Sequence, residues 1–129
     1  MNANALASLI AGLDRPLAAD FSAIEPVACP CGQAKRGLID ERNGLCSIHE
    51  VTISENSKTH YHKEHAEVYY ALEGRGQLEI EGRIRPFEPG QAILIPPRVR
   101  HRPVVEEGEK LKILNFVIPP FDPEDERFD

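Results

Sequence analysis

Hydrophobic positions along this chain change their period at about residue 38. Before that point Leu6, Leu9, Ile10 and Leu13 recur at i, i+3, i+4 and i+7, which predicts one apolar face of a short helix ending near Gly12 to Pro16. Asp20 to Gly37 is proline-rich and without period, so it is expected to run extended over the rest of the molecule or over a partner. From Leu38 the pattern becomes one of short strands. Leu45 to Ile53 reads as a strand, and Glu55 to Lys58 as the turn after it. Val68–Leu72 and Gln77–Glu81 read as a hairpin through Gly74 and Gly76, and Glu81-Gly82 turns the chain into Ile84–Phe87. Ala92–Ile95 is wholly apolar, as a buried strand would be. Pro96-Pro97-Arg98 stops it, a strand begins at His101, and Leu111–Ile118 is the last. Short strands separated by Gly and Pro turns indicate an all-β sandwich or small barrel. The organisation expected is a helix and extended arm over 1–37, a β-barrel over 38–118 and an acidic tail over 119–129.

One cluster of polar residues interrupts this pattern. His60 and His62 are two apart, so on a strand they point to the same face. Glu67 follows where the apolar run Val68-Tyr69-Tyr70-Ala71-Leu72 begins, and His101 comes from a later strand. Three imidazoles and a carboxylate suit a single first-row divalent ion, iron, manganese, nickel or zinc. Four protein ligands on a six-coordinate ion leave two positions for water, dioxygen or a chelating substrate. If Glu67 points inward, so do Tyr69 and Ala71. Tyr69 is then placed to donate a hydrogen bond to a bound oxygen, while Val68, Tyr70 and Leu72 face another layer or a partner subunit. His49 alternates with Val51 and Ile53, which places it toward the same pocket. Arg98 reads as a solvated turn charge, whereas Arg100 or Arg102 would fork onto a substrate carboxylate or phosphate. His65 is off the ligand spacing and reads as a loop residue, with a supporting or acid–base role as the alternative.

The spacing resembles the two motifs of the cupin superfamily. The first, Gly-x5-His-x-His-x3–4-Glu-x6-Gly, is matched by Ser54-x5-His60-x-His62-x4-Glu67-x6-Gly74 with the first glycine replaced. The second, Gly-x5-Pro-x-Gly-x2-His-x3-Asn, is matched by Gly90-x5-Pro96-x-Arg98-x2-His101-x3-Val105, with departures at Arg98 and Val105. The resemblance implies a cupin jelly-roll barrel and one divalent metal held by His60, His62, Glu67 and His101. Cys29-Pro30-Cys31-Gly32 and the tail from Pro120 look more loosely like those of small single-domain bacterial cupins of the conserved-barrel type, a group of unassigned activity. It implies a homodimer with exchanged or augmented N-terminal segments, a role that Asp20 to Gly37 fits. The expected function is that of a dioxygenase-like metalloenzyme acting on a small polar molecule, with Tyr69, His49 and Arg102 as the catalytic candidates. A sugar-phosphate isomerase is the rival, because small cupins resemble phosphomannose isomerase in part. A non-catalytic, metal-dependent binding module is the reading from a different class.

Composition narrows the partners. The 129 residues carry 15 basic and 21 acidic side chains, a net charge of −6 that argues against nucleic acid. No apolar run reaches the roughly 20 residues of a membrane span. The first ten residues hold no Lys or Arg, so the charged start of a secretory signal is missing and a cytoplasmic location is expected. Three cysteines, an odd number, do not make a disulfide framework. Cys29, Cys31 and Cys46 read as reduced thiols in preference to a second zinc site with His49. Deleting residues 1–26 is expected to weaken dimerisation; an unchanged sedimentation profile would count against segment exchange.

Overall fold

The computed structural model describes residues 2–129. A short helix, α1 (Ala3–Ser8), leads through a 3-10 turn at Phe21–Ala23 into β1 (Val27–Cys29), β2 (Gly32–Gly37), β3 (Ser47–Ile53), β4 (Tyr61–His62), β5 (Ala66–Gly74), β6 (Gln77–Ile80) and β7 (Arg83–Pro86). Then follow β8 (Ala92–Ile95), β9 (His101–Val104), β10 (Leu111–Ile118), a 3-10 turn at Pro123–Asp125 and β11 (Glu126–Arg127). Asn2 caps α1 by accepting from the Ala5 N–H. The helix is shorter than its apolar spacing predicts. The Leu9 carbonyl is taken by the Gly44 N–H at 2.8 Å, so the chain continues as turns from Leu9 on. Among the described residues no helix is long and apolar enough to cross a membrane.

The strands form a large sheet in the order β1-β2-β3-β10-β5-β8, a three-stranded sheet β7-β6-β9 and a two-stranded ribbon β11-β4. Residues 27–37, expected as part of an extended arm, form a hairpin that pairs with β3 of the same chain. The expected hairpin between Val68–Leu72 and Gln77–Glu81 is absent. β5 pairs with β10 and β8, whereas β6 pairs with β7 and β9. Gly74 lies at φ 95 and the Arg75 N–H bonds the Lys110 carbonyl, so this turn carries the chain from one sheet to the other. β8 is an edge strand, not a buried one: Leu94 is 64% exposed and only Ile95 is buried.

Antiparallel register arranges the inner face of the large sheet in rows, because residues directly opposite share a face. One row runs Ala34, Val51, Ile113, Ala71. The next runs Arg36, His49, Asn115, Tyr69, and the row beyond runs Ser47, Val117, Glu67. The apolar core, with Ile53, Leu78, Phe87 and Leu111 fully buried, therefore fills one end, and the rows become polar toward the other. Each such side chain contributes about 1.5–3 kcal/mol. Arg98, which stands where the cupin motif has glycine, adopts φ 73, with its N–H on the His62 carbonyl. The turn keeps the glycine-like conformation at some cost in strain.

The tail closes the polar end. Phe121 N–H donates to Ser47 Oγ at 2.9 Å. The Asp125 carboxylate accepts from the N–H groups of Lys63 (3.0 Å), Glu64 (2.9 Å) and His65 (3.2 Å). Burial works against its ionisation, but these donors and Arg127 hold it below the ordinary Asp value. Asp125→Ala is expected to lower stability by about 2–3 kcal/mol, since it leaves buried donors unpaired. Asp122→Ala, which removes only a cap on the Glu124 N–H, should cost about 1 kcal/mol. Denaturant titration of the two variants side by side checks the order.

Candidate metal centre

His60 and His101 face each other across an antiparallel bridge closed by two backbone hydrogen bonds, His60 N–H to His101 O at 3.0 Å and the reverse at 2.8 Å. That pairing puts both rings on one face, with centroids 4.5 Å apart. His62 lies two residues on along the same strand, and Glu67 comes in from β5. One ligand atom from each of the four residues lies within 4.8 Å of every other, and all four residues are buried.

The rings are oriented by their outer nitrogens. His60 Nδ1 donates to the Lys58 carbonyl (3.3 Å), His62 Nδ1 to the Asp125 carbonyl (3.0 Å) and His101 Nδ1 to the Val99 carbonyl (2.8 Å). A carbonyl only accepts, so each Nδ1 carries a proton, and a neutral ring then presents a lone pair at Nε2. Two of these nitrogens lie against the same oxygen, Glu67 Oε1, at 2.8 Å from His62 and 2.9 Å from His101. The His62 contact is misaligned for a hydrogen bond, which leaves that buried Nε2 without a partner. Lone pairs converging on a carboxylate repel unless a cation lies among them. This donor set fits a divalent ion of the first transition row.

Protonation follows the same geometry. Burial, then the neighbouring His101, push His60 down to about 4, so it is neutral and ready to ligate. Burial also opposes charge on His62, but the Glu67 carboxylate outweighs it and raises the ring above its ordinary value. Burial likewise opposes charge on Glu67, yet protons on the facing nitrogens of His101 and His62 hold it well below the usual carboxylate range. Its second oxygen accepts from Asn115 Nδ2.

The cluster opens into a cavity of about 120 Å³ bounded by Cys29, Arg36, His49, Tyr69, Asn115 and Phe121, among others. The expected parity of Glu67, Tyr69 and Ala71 is what the structure has: all three are buried on the inner face. His49 lies on the same cavity, edge-on to Phe121 at 5.3 Å, with Nε2 2.8 Å from Ser47 Oγ. Arg102 does not join them. Inward-facing His101 precedes it on β9, so its side chain leaves on the other face and pairs with Glu79 at 3.1 Å. Arg100 likewise pairs with Asp129, over the ring of Tyr61. Cys29 and Cys31 are free thiols with Sγ atoms 3.8 Å apart, and Cys46 is also free. His65, read as a loop residue, is buried and stacked on His62 at 4.0 Å, with Nδ1 3.3 Å from Asp125. Its ring thus packs directly on His62 inside the protein, although its backbone lies in the loop before β5.

Asn115, Asp125 and Arg36 were not singled out from the sequence. Asn115 had a signal, being the one polar residue on the inward parity of Leu111, Ile113 and Val117. Asp125 had none, as one acid among several in the tail.

The family model of the cupin domain matches residues 48–117. The chain belongs to the cupin family. A solved structure of a protein from Planctomyces limnophilus is 42% identical over 89% of this chain and 98% of its own, with a TM-score of 0.81. An L-ectoine synthase of Halomonas elongata is 38% identical over 64 residues, 47% of each chain. A glucose-6-phosphate isomerase of Pyrococcus abyssi is 46% identical over 70 residues, 49% of this cupin and 36% of the isomerase. The cupin thus spans less than half the length of either curated relative.

The protein purified without added metal is expected to hold about one equivalent of a first-row ion by elemental analysis, and His60→Ala/His101→Ala to hold none. With free metal at about a hundred times Kd, the ion stabilises the fold by roughly 2.7 kcal/mol. Chelation should therefore lower the Tm of the native chain and leave that of the double variant unmoved.

Proposed function

We propose that this cupin is a metal-dependent enzyme of the lyase or isomerase kind, moving a proton on a small polar molecule. The observation that carries the reading is the row His49–Asn115–Tyr69 beside the four-residue cluster, facing one cavity. A divalent ion held by His60, His62, Glu67 and His101 would supply Lewis acidity toward a substrate oxygen. The remaining roles fall to the chain's own groups. Burial, then Arg36, push His49 down to about 4, so its ring is neutral, and with Nε2–H on Ser47 Oγ its Nδ1 would accept a proton. Burial, then Glu67, hold the Tyr69 phenol well above its ordinary value, so it stays protonated and donates. Asn115 steadies Glu67, and Phe121 gives the cavity an apolar wall. A pair of neutral groups, one accepting and one donating, suits enolisation or loss of water better than electron transfer.

The named relatives, an isomerase and a synthase, favour this over the dioxygenase-like role expected from sequence. A homodimer belongs to the same proposal, supported by the outer face of the large sheet, where Tyr70, Leu72, Leu94 and Ile118 are exposed.

Metal-loaded protein in deuterated water, offered a panel of sugar phosphates and of 2-hydroxy and 2-oxo acids, is expected to exchange a carbon-bound proton in at least one compound, read by NMR. Tyr69→Phe should keep its metal and slow that exchange by roughly a hundredfold. Oxygen uptake by iron-loaded protein without any exchange would return the site to dioxygen chemistry.

A further inference from the structure

The cavity contains one cation that the proposed chemistry leaves without a task. Arg36 follows Ala34 at the inward parity of β2, so its guanidinium enters the cavity and does not reach solvent on the outer face. It lies over the Phe121 ring at 4.2 Å. Its Nε is buried and has no hydrogen-bond partner. Arg42, Arg100, Arg102 and Arg127 each carry a carboxylate, but none lies within ion-pair distance of Arg36 among the described residues. A guanidinium stays charged at any working pH, so a half-buried one without a counter-ion is a group awaiting a partner.

We propose that Arg36 is the carboxylate anchor of this cavity and that its occupant is a small monocarboxylic acid. The inference rests on the functional reading above and names its substrate class. The Phe121 ring under the guanidinium restricts its position, and Phe121 is itself pinned through its N–H to Ser47. A planar fork held in place matches a planar carboxylate through two parallel hydrogen bonds. Arg36 stands in the same row as His49, Asn115 and Tyr69, so an acid held there lays its next carbons along the proton-moving groups toward the metal cluster. Arg36 is the only Lys or Arg among the lining residues, and Asp122 and Glu126 put carboxylates at the cavity's edge. That balance suits one negative charge and disfavours a phosphate ester. The anion site expected from sequence at Arg100 or Arg102 is thereby reassigned to β2.

Calorimetric titration of the metal-loaded full chain with lactate, pyruvate, lactamide and inorganic phosphate tests this, with metal content measured on every sample. The expected result is binding of at least one of the two acids, with lactamide and phosphate at least tenfold weaker. Arg36→Gln should lose at least tenfold in acid affinity at unchanged metal content, and Arg36→Lys should recover part of it. Lactamide or phosphate binding as well as the acids, Arg36→Gln binding like the native chain, or no binding of either acid would each overturn the proposal. Should Arg36→Gln fail to fold, Arg36→Lys and the amide comparison decide. Acid binding that depends on Arg36 in a chain that takes up no metal would sink the metal reading and keep the anchor. Metal uptake with acid binding indifferent to Arg36 would do the reverse.

Discussion

Two imidazole nitrogens set against one carboxylate oxygen, with a third ring packed beside them, are the constraint around which this molecule is arranged. Each ring is locked by a backbone carbonyl on its outer nitrogen, and the carbonyls come from three separate parts of the chain, Lys58, Val99 and Asp125. No ring can turn to relieve the convergence without giving up its carbonyl. The positive charge must come either from a bound cation or from protons, and the raised His62 shows where the first proton would go. A metal ion held there would displace that proton, which would tie the affinity of the site to acidity.

Sheet register delivers everything else to the same place. Strand parity has a period of two, so one inward residue fixes its whole strand, and antiparallel pairing carries that choice across neighbouring strands. The apolar row of Ala34, Val51, Ile113 and Ala71 anchors the pattern. Two residues further along the same strands come Arg36, His49, Asn115 and Tyr69, which could not be packed in the middle of a core and line the cavity instead. The position of the polar row at one end of the sheet is what makes it a pocket floor and not a buried fault.

The sequence showed the shared face of His60 and His62 and the inward parity of Tyr69 because each depends only on local spacing, whereas His101 was joined to them by resemblance to the second cupin motif. Two histidines at i, i+2 share a face in any strand, and Tyr69 follows Glu67 by the same rule. Failures came where long-range pairing decides. Gly74 and Gly76 look like a hairpin turn, and only the competing partner β10 shows that the chain crosses to another sheet there. Arg102 and Arg36 are alike as residue types, and what separates them is Glu79, which occupies one and leaves the other bare. Leu94 sits in an apolar run that reads as buried, yet its strand has a neighbour on one side only. Asp125 binds a loop sixty residues away, and local pattern carries no trace of such a contact.

That last contact gives the site an order in time. The loop between His62 and Glu67 has no hydrogen-bonded scaffold of its own for the amides of residues 63–65; Asp125 supplies it, together with the carbonyl that orients His62. During synthesis the four ligands are complete once His101 has emerged, yet their arrangement waits for Asp125. Closing a span of that length costs chain entropy that grows only slowly with its length. A nascent chain therefore has the histidines without the arrangement that Asp125 gives them, and a cation held by all four residues would be captured selectively only after the sheets and the tail have come together.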